Sequence, residues 1–300
     1  MLRRLMTKEN GNVTVLVSVL LFAFMGIMAI VIDVGVVFAE KAKLSKAIDA
    51  AILAGGQELP ENIDKAIATM EEYLIENGVT LDQVEISIDE DGFGAEIVAT
   101  KPVDHYFAKV IGFDSTNINE QARIIVGPSG SATGGLRPFG VEKYDFVYGD
   151  PVVLKEGAGD GYHGNYGAVA LGGSGSSVLL DNALYGYDGI IEVGDIIYTE
   201  PGNMMGAVNT IAAYINSFDE SFDSYTRGSD RVWTVPLVDT MVVSGREGVV
   251  VVGFAQFFVE DVKKIAGEAQ MFGRFIRYVT NGDIDYTIDD TGSYSMKLVD

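Results

Sequence analysis

Cysteine is missing from this chain of 300 residues, and histidine occurs only twice. These shortages exclude thiolate zinc sites, iron–sulfur clusters, disulfide frameworks and cysteine nucleophiles, and they leave imidazole-rich metal centres short of ligands. Any catalysis would have to rest on carboxylates, hydroxyls or lysines, and no cofactor is indicated. Positive charge is the next scarcity: 21 Lys and Arg face 43 Asp and Glu, a formal net charge of −22. A binder of phosphate backbones needs clustered cations to release counterions, so the composition argues against nucleic acid as a partner. Against these shortages stand a hydrophobic fraction of 48% and a mean hydropathy of +0.21. A chain this apolar has ample surface to bury against the entropy of ordering and is not intrinsically disordered. Its length suggests roughly two domains.

The apolar excess is concentrated. From Val13 to Ile32 the chain reads VTVLVSVLLFAFMGIMAIVI, without one ionisable side chain. At about 1.5 Å per residue, some 20 residues cross a hydrocarbon core of roughly 30 Å. A cleaved signal peptide is the competing reading, because Arg3, Arg4 and Lys8 precede the run. A signal's apolar region is shorter, about 7 to 15 residues, and ends in an A-x-A-like site, which is missing here. The sequence therefore predicts a retained anchor. Arg3, Arg4 and Lys8 are its topology determinants, held cytoplasmic by the positive-inside rule, with Lys41, Lys43 and Lys46 opposing them on the far side. The expected arrangement is a single-pass protein of the cell membrane, with residues 1–12 as a cytoplasmic tail and the C-terminal domain extracytoplasmic. Beyond the membrane Leu44, Ala47, Ile48, Ala51 and Ile52 keep helical spacing until Gly55, Gly56 and Pro60 supply a stop. Residues 13–56 are thus expected as one transmembrane and stalk helix of roughly 60 Å.

Three separated pieces of this region carry a family resemblance. They are Gly11-Asn12-Val13 at the start of the apolar run, the stretch ending in Asp33-Val34-Gly35, and Asp49-Ala50-Ala51-Ile52-Leu53-Ala54-Gly55. In order and spacing they resemble the N-terminal region of TadE/TadG-like proteins of the Tad (Flp) pilus assembly machinery, where a GN pair, a D-x-G and a D-A-A-x-L-A-G segment recur. The family-motif positions are Gly11, Asn12, Asp33, Gly35, Asp49, Ala50, Ala51 and Gly55. Two departures limit what the resemblance implies. Processed prepilins carry Glu five residues after the scissile Gly, whereas five after Gly11 stands Leu16. Longer TadG relatives carry a von Willebrand A domain with a D-x-S-x-S metal motif; Asp219-Glu220-Ser221-Phe222-Asp223 comes closest and fails at its last position. Asp33 itself reads as an interfacial helix residue at the outer membrane edge, with burial against a partner subunit as the alternative.

After the stalk, Pro60 to Asn77 is amphipathic, with Ile63, Ile67, Met70 and Leu74 on one face. Val84 to Ile88 alternates, Asp91-Gly92 supplies a turn and Ala95 to Ala99 returns, a hairpin pattern. With a short helix over Asp104 to Phe113 and a strand over Ile118 to Val126, residues 60–126 are expected as a small α+β head. Residues 127–135, rich in Gly and Ser, read as a flexible linker. Residues 136–300 read as a β-rich acidic exported domain, a barrel or sandwich of short strands with one helix starting at Asn203 or Met204 and ending at Asn216. The expected fold class is α+β.

No catalytic framework emerges. The glycine run Gly157 to Gly175 holds Asp160, His163 and Asn165 but lacks the calcium-nonapeptide and P-loop orders. Asp283, Asp285, Asp289 and Asp290 lack the EF-hand order and read as turns. Asp290-Thr291-Gly292 is a lone copy of a triplet that aspartic-protease chemistry needs twice. His105 and His163 have no Ser/Asp framework, and Gly173-Ser174-Gly175 is not a nucleophile elbow. The expected function is therefore a membrane-anchored, non-catalytic component of a Tad/Flp-type pilus or secretion machine, acting in pilus biogenesis and adhesion through protein contacts. Its expected partners are the lipid bilayer and other pilus components: TadE/TadF-like proteins, pilin or platform proteins. The alternative is a surface-displayed module binding glycan or calcium.

Overall fold

The computed structural model describes residues 12–156, 165–200, 205–265 and 268–299. Continuous helix-compatible apolar residues followed by a striped segment give one unbroken helix, α1 (Asn12–Gly56), of 45 residues. A second helix, α2 (Ile63–Glu76), folds back on its outer end. Asn62 starts α2, its Oδ1 accepting the Lys65 amide at 2.9 Å, and Gly78 follows its end at φ +76°, a conformation that costs glycine little. The buried face of α2 is Ala66, Met70 and Leu74; Ile63, expected inward, is exposed. The cause is close approach, since a Cβ on Gly55 would come within 2.5 Å of the Ala66 carbonyl oxygen. Helix α2 lies so near α1 that a small residue, not a branched one, centres the contact.

Both helices cover one face of a sheet. Its strands are β1 (Val84–Ile88), β2 (Gly94–Asp104) and β3 (Ser115–Pro128), joined later by β13 (Tyr278–Val279) and β14 (Ser293–Val299) in the order β1-β2-β3-β14-β13. The Asp91-Gly92 turn sits where the sequence put it, with Gly92 at φ +77° and Val84 paired to Ala99. The core between helices and sheet contains Leu44, Ile48, Ile52, Met70, Ile97, Ile124, Val126 and Tyr294. Strand β14 was absent from the sequence expectation, yet it pairs antiparallel with β3 from Tyr294↔Pro128 to Val299↔Arg123. The head is therefore not closed by residues 60–126 alone.

Residues 127–135 are not a free linker here. Strand β3 continues through Pro128, Ser129 bridges to Ile284, and β4 (Ser131–Thr133) pairs with β8 (Ile190–Glu192). The glycines and serines serve packing: a Cβ on Gly130 would meet the Asp285 Cβ at 2.6 Å, and buried Ser129 hydrogen-bonds Ser295 at 2.9 Å. Small residues read as freedom in sequence because their use for close approach depends on a strand more than 150 positions away.

Beyond this ribbon the chain builds a barrel. Strands β5 (Phe139–Glu142), β6 (Pro151–Glu156), β7 (Asn165–Ala170), β10 (Val232–Val238), β11 (Gly248–Ile265) and β12 (Glu268–Ile276) close a ring in the order β10-β5-β7-β6-β12-β11, with β11 returning to β10. Strand β9 (Ile196–Thr199) bridges β11 and β7. Two helices, α3 (Ser176–Tyr185) and α4 (Met205–Ile215), pack Ala183, Val208, Ile211 and Ile215 into the core formed by Phe139, Tyr166, Trp233, Phe257 and Phe275. Helix α3 is a second helix where one was expected in residues 136–300, because the short apolar run Ser177 to Leu180 has no period of its own to mark it. The helix expected near residues 203–216 is α4; Asn203 and Met204 lie outside the described residues, as do Asp160 and His163.

Candidate functional site: the junction of span, stalk and head

The inner part of α1 turns its large apolar side chains outward. Its large side chains from Val13 to Ile32 are exposed, Phe22 at 75% and Phe24 at 63%, and α1 is long and apolar enough to cross a membrane. The buried stripe begins abruptly with Asp33, 3% exposed, and continues through Leu44, Ala47, Ile48, Ala51, Ile52 and Gly55 at helical spacing. One helix thus changes role at residue 33, from an exposed apolar segment to a stalk packed against the head.

Asp33 makes that change chemically specific. The β2–β3 loop comes down to it and offers three successive backbone amides. Tyr106 N–H donates to Oδ1 at 2.8 Å, while Phe107 N–H at 3.0 Å and Ala108 N–H at 2.6 Å donate to Oδ2. The three donors open a single 3-10 turn, Ala108–Ile111, closed by Gly112 in the left-handed region at φ +92°. A cradle of consecutive N–H groups is a natural receptor for a carboxylate. His105 flanks it, its Nδ1 4.0 Å from Asp33 Oδ2 and its Nε2 2.8 Å from Thr116 Oγ1. Sequence reading placed Asp33 at the interface and left burial against another subunit as the alternative; the burial is real, and the burying group belongs to the same chain. The helix expected over Asp104 to Phe113 is only this one turn, since β2 extends to Asp104 and the apolar residues after it point outward.

Farther up the stalk, charge pairs continue the docking. Glu40 accepts from Lys101 of β2 and from Lys43, each at 2.7 Å, and the Lys101 bond, then the Lys43 bond, hold its carboxyl down to about 2. Lys41 meets Glu120 of β3 at 3.0 Å. Asp49, a family-motif position, is half-buried; desolvation, then the nearby Glu120, push its carboxyl above the ordinary value. Ala51 is fully buried and Ala50 half-buried against the head. Gly35 lies on the open side, where an added Cβ would meet nothing within 4 Å. Asn12 starts α1, while Arg3, Arg4, Lys8 and Gly11 lie outside the described residues.

At the far end of the stalk the barrel is seated. Arg227 donates through Nε to Gln57 Oε1 at 2.8 Å and through Nη2 to the Gln57 carbonyl, and its guanidinium stacks 4.2 Å over the Tyr278 ring. Arg277 pairs with Glu61 at 3.2 Å. The C-terminal aspartates serve local structure: Asp285 accepts from Thr287, Asp289 pairs with Lys143, and Asp290 accepts from Tyr294 Oη at 3.0 Å. Among the described residues no group of three or more His, Asp or Glu could hold a metal ion. These contacts fasten the barrel to the stalk and head.

Residues 11–58 match the family profile described as Putative Flp pilus-assembly TadE/G-like. No curated protein and no solved structure is similar to this chain at a significant level. The match spans the GN pair, Asp33 and the D-A-A-x-L-A-G segment together, so the helix that carries the span and the stalk is a TadE/TadG-like segment, with the remaining head and the barrel outside the match.

Proposed function

We propose that the protein is a non-catalytic, membrane-anchored component of a Tad/Flp-type pilus assembly machine, with its N-terminus cytoplasmic and its acidic barrel outside the membrane. The observation that carries this reading is the coincidence of the TadE/G-like match over 11–58 with a helix whose exposed apolar part ends where the head begins. The head and barrel act as a contact platform. Other pilus components are the partners, TadE/TadF-like proteins and pilin or platform proteins among them. The net charge of −22 favours basic surfaces on those partners and discourages nonspecific sticking. Deleting the gene should impair pilus assembly and surface adherence while pilin synthesis continues. Normal piliation in the deletion strain would sink the reading.

A further inference from the structure

The loop that captures Asp33 carries a surface that docking on α1 does not use. Tyr106 is 70% exposed, Val110 86%, Ile111 73% and Phe113 65%, with Phe107 at 46%. Five large apolar or aromatic side chains within one hairpin tip are costly to leave in water. Their place in the fold says what covers them. Three backbone amides tie the tip to Asp33, the residue that directly follows the apolar run of α1. On the open side of α1 the apolar surface does not stop there, because Val34 and Phe38 are also exposed. The tip thus extends sideways, at the same height, the surface that the span presents to lipid.

We propose that the β2–β3 hairpin tip, residues 106–113, is embedded in the interfacial layer of the bilayer beside α1, as a second membrane contact of the head. The composition suits that layer: aromatic rings sit well at headgroup depth, and Lys109 can extend its ammonium toward the headgroups. The Asp33 carboxylate does not prevent immersion, because backbone amides replace the water it would otherwise need. Depth is limited by Asp104 and Asp114, both exposed at the base of the hairpin, where His105 N–H donates to the Asp114 carbonyl at 2.9 Å. Attraction to anionic lipid is not the driving force for so acidic a chain; apolar burial is. A helix alone leaves the head free to turn about the span axis, and a lateral contact removes that freedom.

The proposal rests on the membrane-anchored reading, and one experiment separates the two. Because the chain has no cysteine, Phe24→Cys, Val110→Cys, Ile111→Cys and Tyr286→Cys each give one labelling site in the full protein. Each variant carries an environment-sensitive fluorophore and is reconstituted into phosphatidylcholine vesicles containing lipids with nitroxides at shallow or deep positions. Emission is expected to be lost to the deep quencher at position 24 and to the shallow quencher at 110 and 111, and retained at 286, on the side of the head remote from Asp33. Loss at 24 with positions 110 and 111 behaving like 286 overturns the proposal and leaves the anchor standing. Retained emission at 24 overturns the anchor and the proposal together.

Discussion

Two carboxylates on α1 behave in opposite ways, and a third holds the junction. Glu40 is held down to about 2 from an ordinary 4.5 by Lys101 and Lys43. A group lowered on folding contributes stability that is present above its unfolded value and lost as pH falls through the folded one. Docking of the stalk on β2 should weaken between pH 4.5 and 2, and Glu40→Gln should flatten that part of a stability-against-pH curve. Asp49 is raised, so its ionised form costs the fold something at neutral pH and the cost disappears on acidification. Asp49→Asn should therefore raise the thermal midpoint slightly; a lower midpoint would mean that the fold favours the ionised carboxylate. Asp33→Ala removes the acceptor of three amides. Hydrogen exchange at Tyr106, Phe107 and Ala108 should accelerate about tenfold or more in detergent-solubilised protein, with β10 to β12 unchanged. Unaltered exchange at those three amides would mean that the loop holds its shape without the carboxylate.

At the level of elements, the close contact of α1 with α2 depends on Gly55, and a Cβ there meets Met70 as well as the Ala66 carbonyl. Gly55→Val should cost about 1 to 3 kcal/mol, the usual penalty of overpacking, and show as a lower unfolding midpoint. The sequence marked Gly55 as part of a helix stop and, by the family resemblance, as a motif position, not as a point of close approach between helices. The span and the first hairpin were legible, each marked by its own run of apolar residues. What stayed illegible depends on distant partners. Ser293 to Val299 becomes a strand because β3 offers an edge, and Phe139 to Glu142 because β7 and β10 flank it. Ser177 to Leu180 has an apolar run that suits strand and helix equally, and packing on the barrel selects helix. Asp33 was visible as an acid after an apolar run, but the amides it binds lie more than 70 residues away, at a loop whose composition resembles a helix.

For the molecule as a whole, the barrel is an insertion in the head, not an appendage to it. The chain leaves the head sheet at Pro128 and re-enters it at Tyr278, and the two crossing points are reinforced by Arg227 on Gln57 and Arg277 on Glu61. Two covalent crossings restrict the barrel far more than one Gly/Ser linker, and they hold it at the outer end of a stalk of about 35 Å from Asp33 to Gly56. The arrangement separates the stabilities of the two parts. Strands β10, β5, β7, β6, β12 and β11 satisfy one another's backbone groups in a closed ring, whereas the head sheet needs its final strand from beyond the insertion. Removing everything after Tyr294 would leave Arg123 to Gly127 without their partners Ser295 to Val299. It would also strip Met296 from its place against the head core. Amide exchange in β2 and β3 should then rise steeply while amides in β10 to β12 keep their protection. Equal loss in both parts would mean that head and barrel unfold as one unit, and no loss in β2 and β3 would mean that the stalk helix alone is enough to hold the sheet.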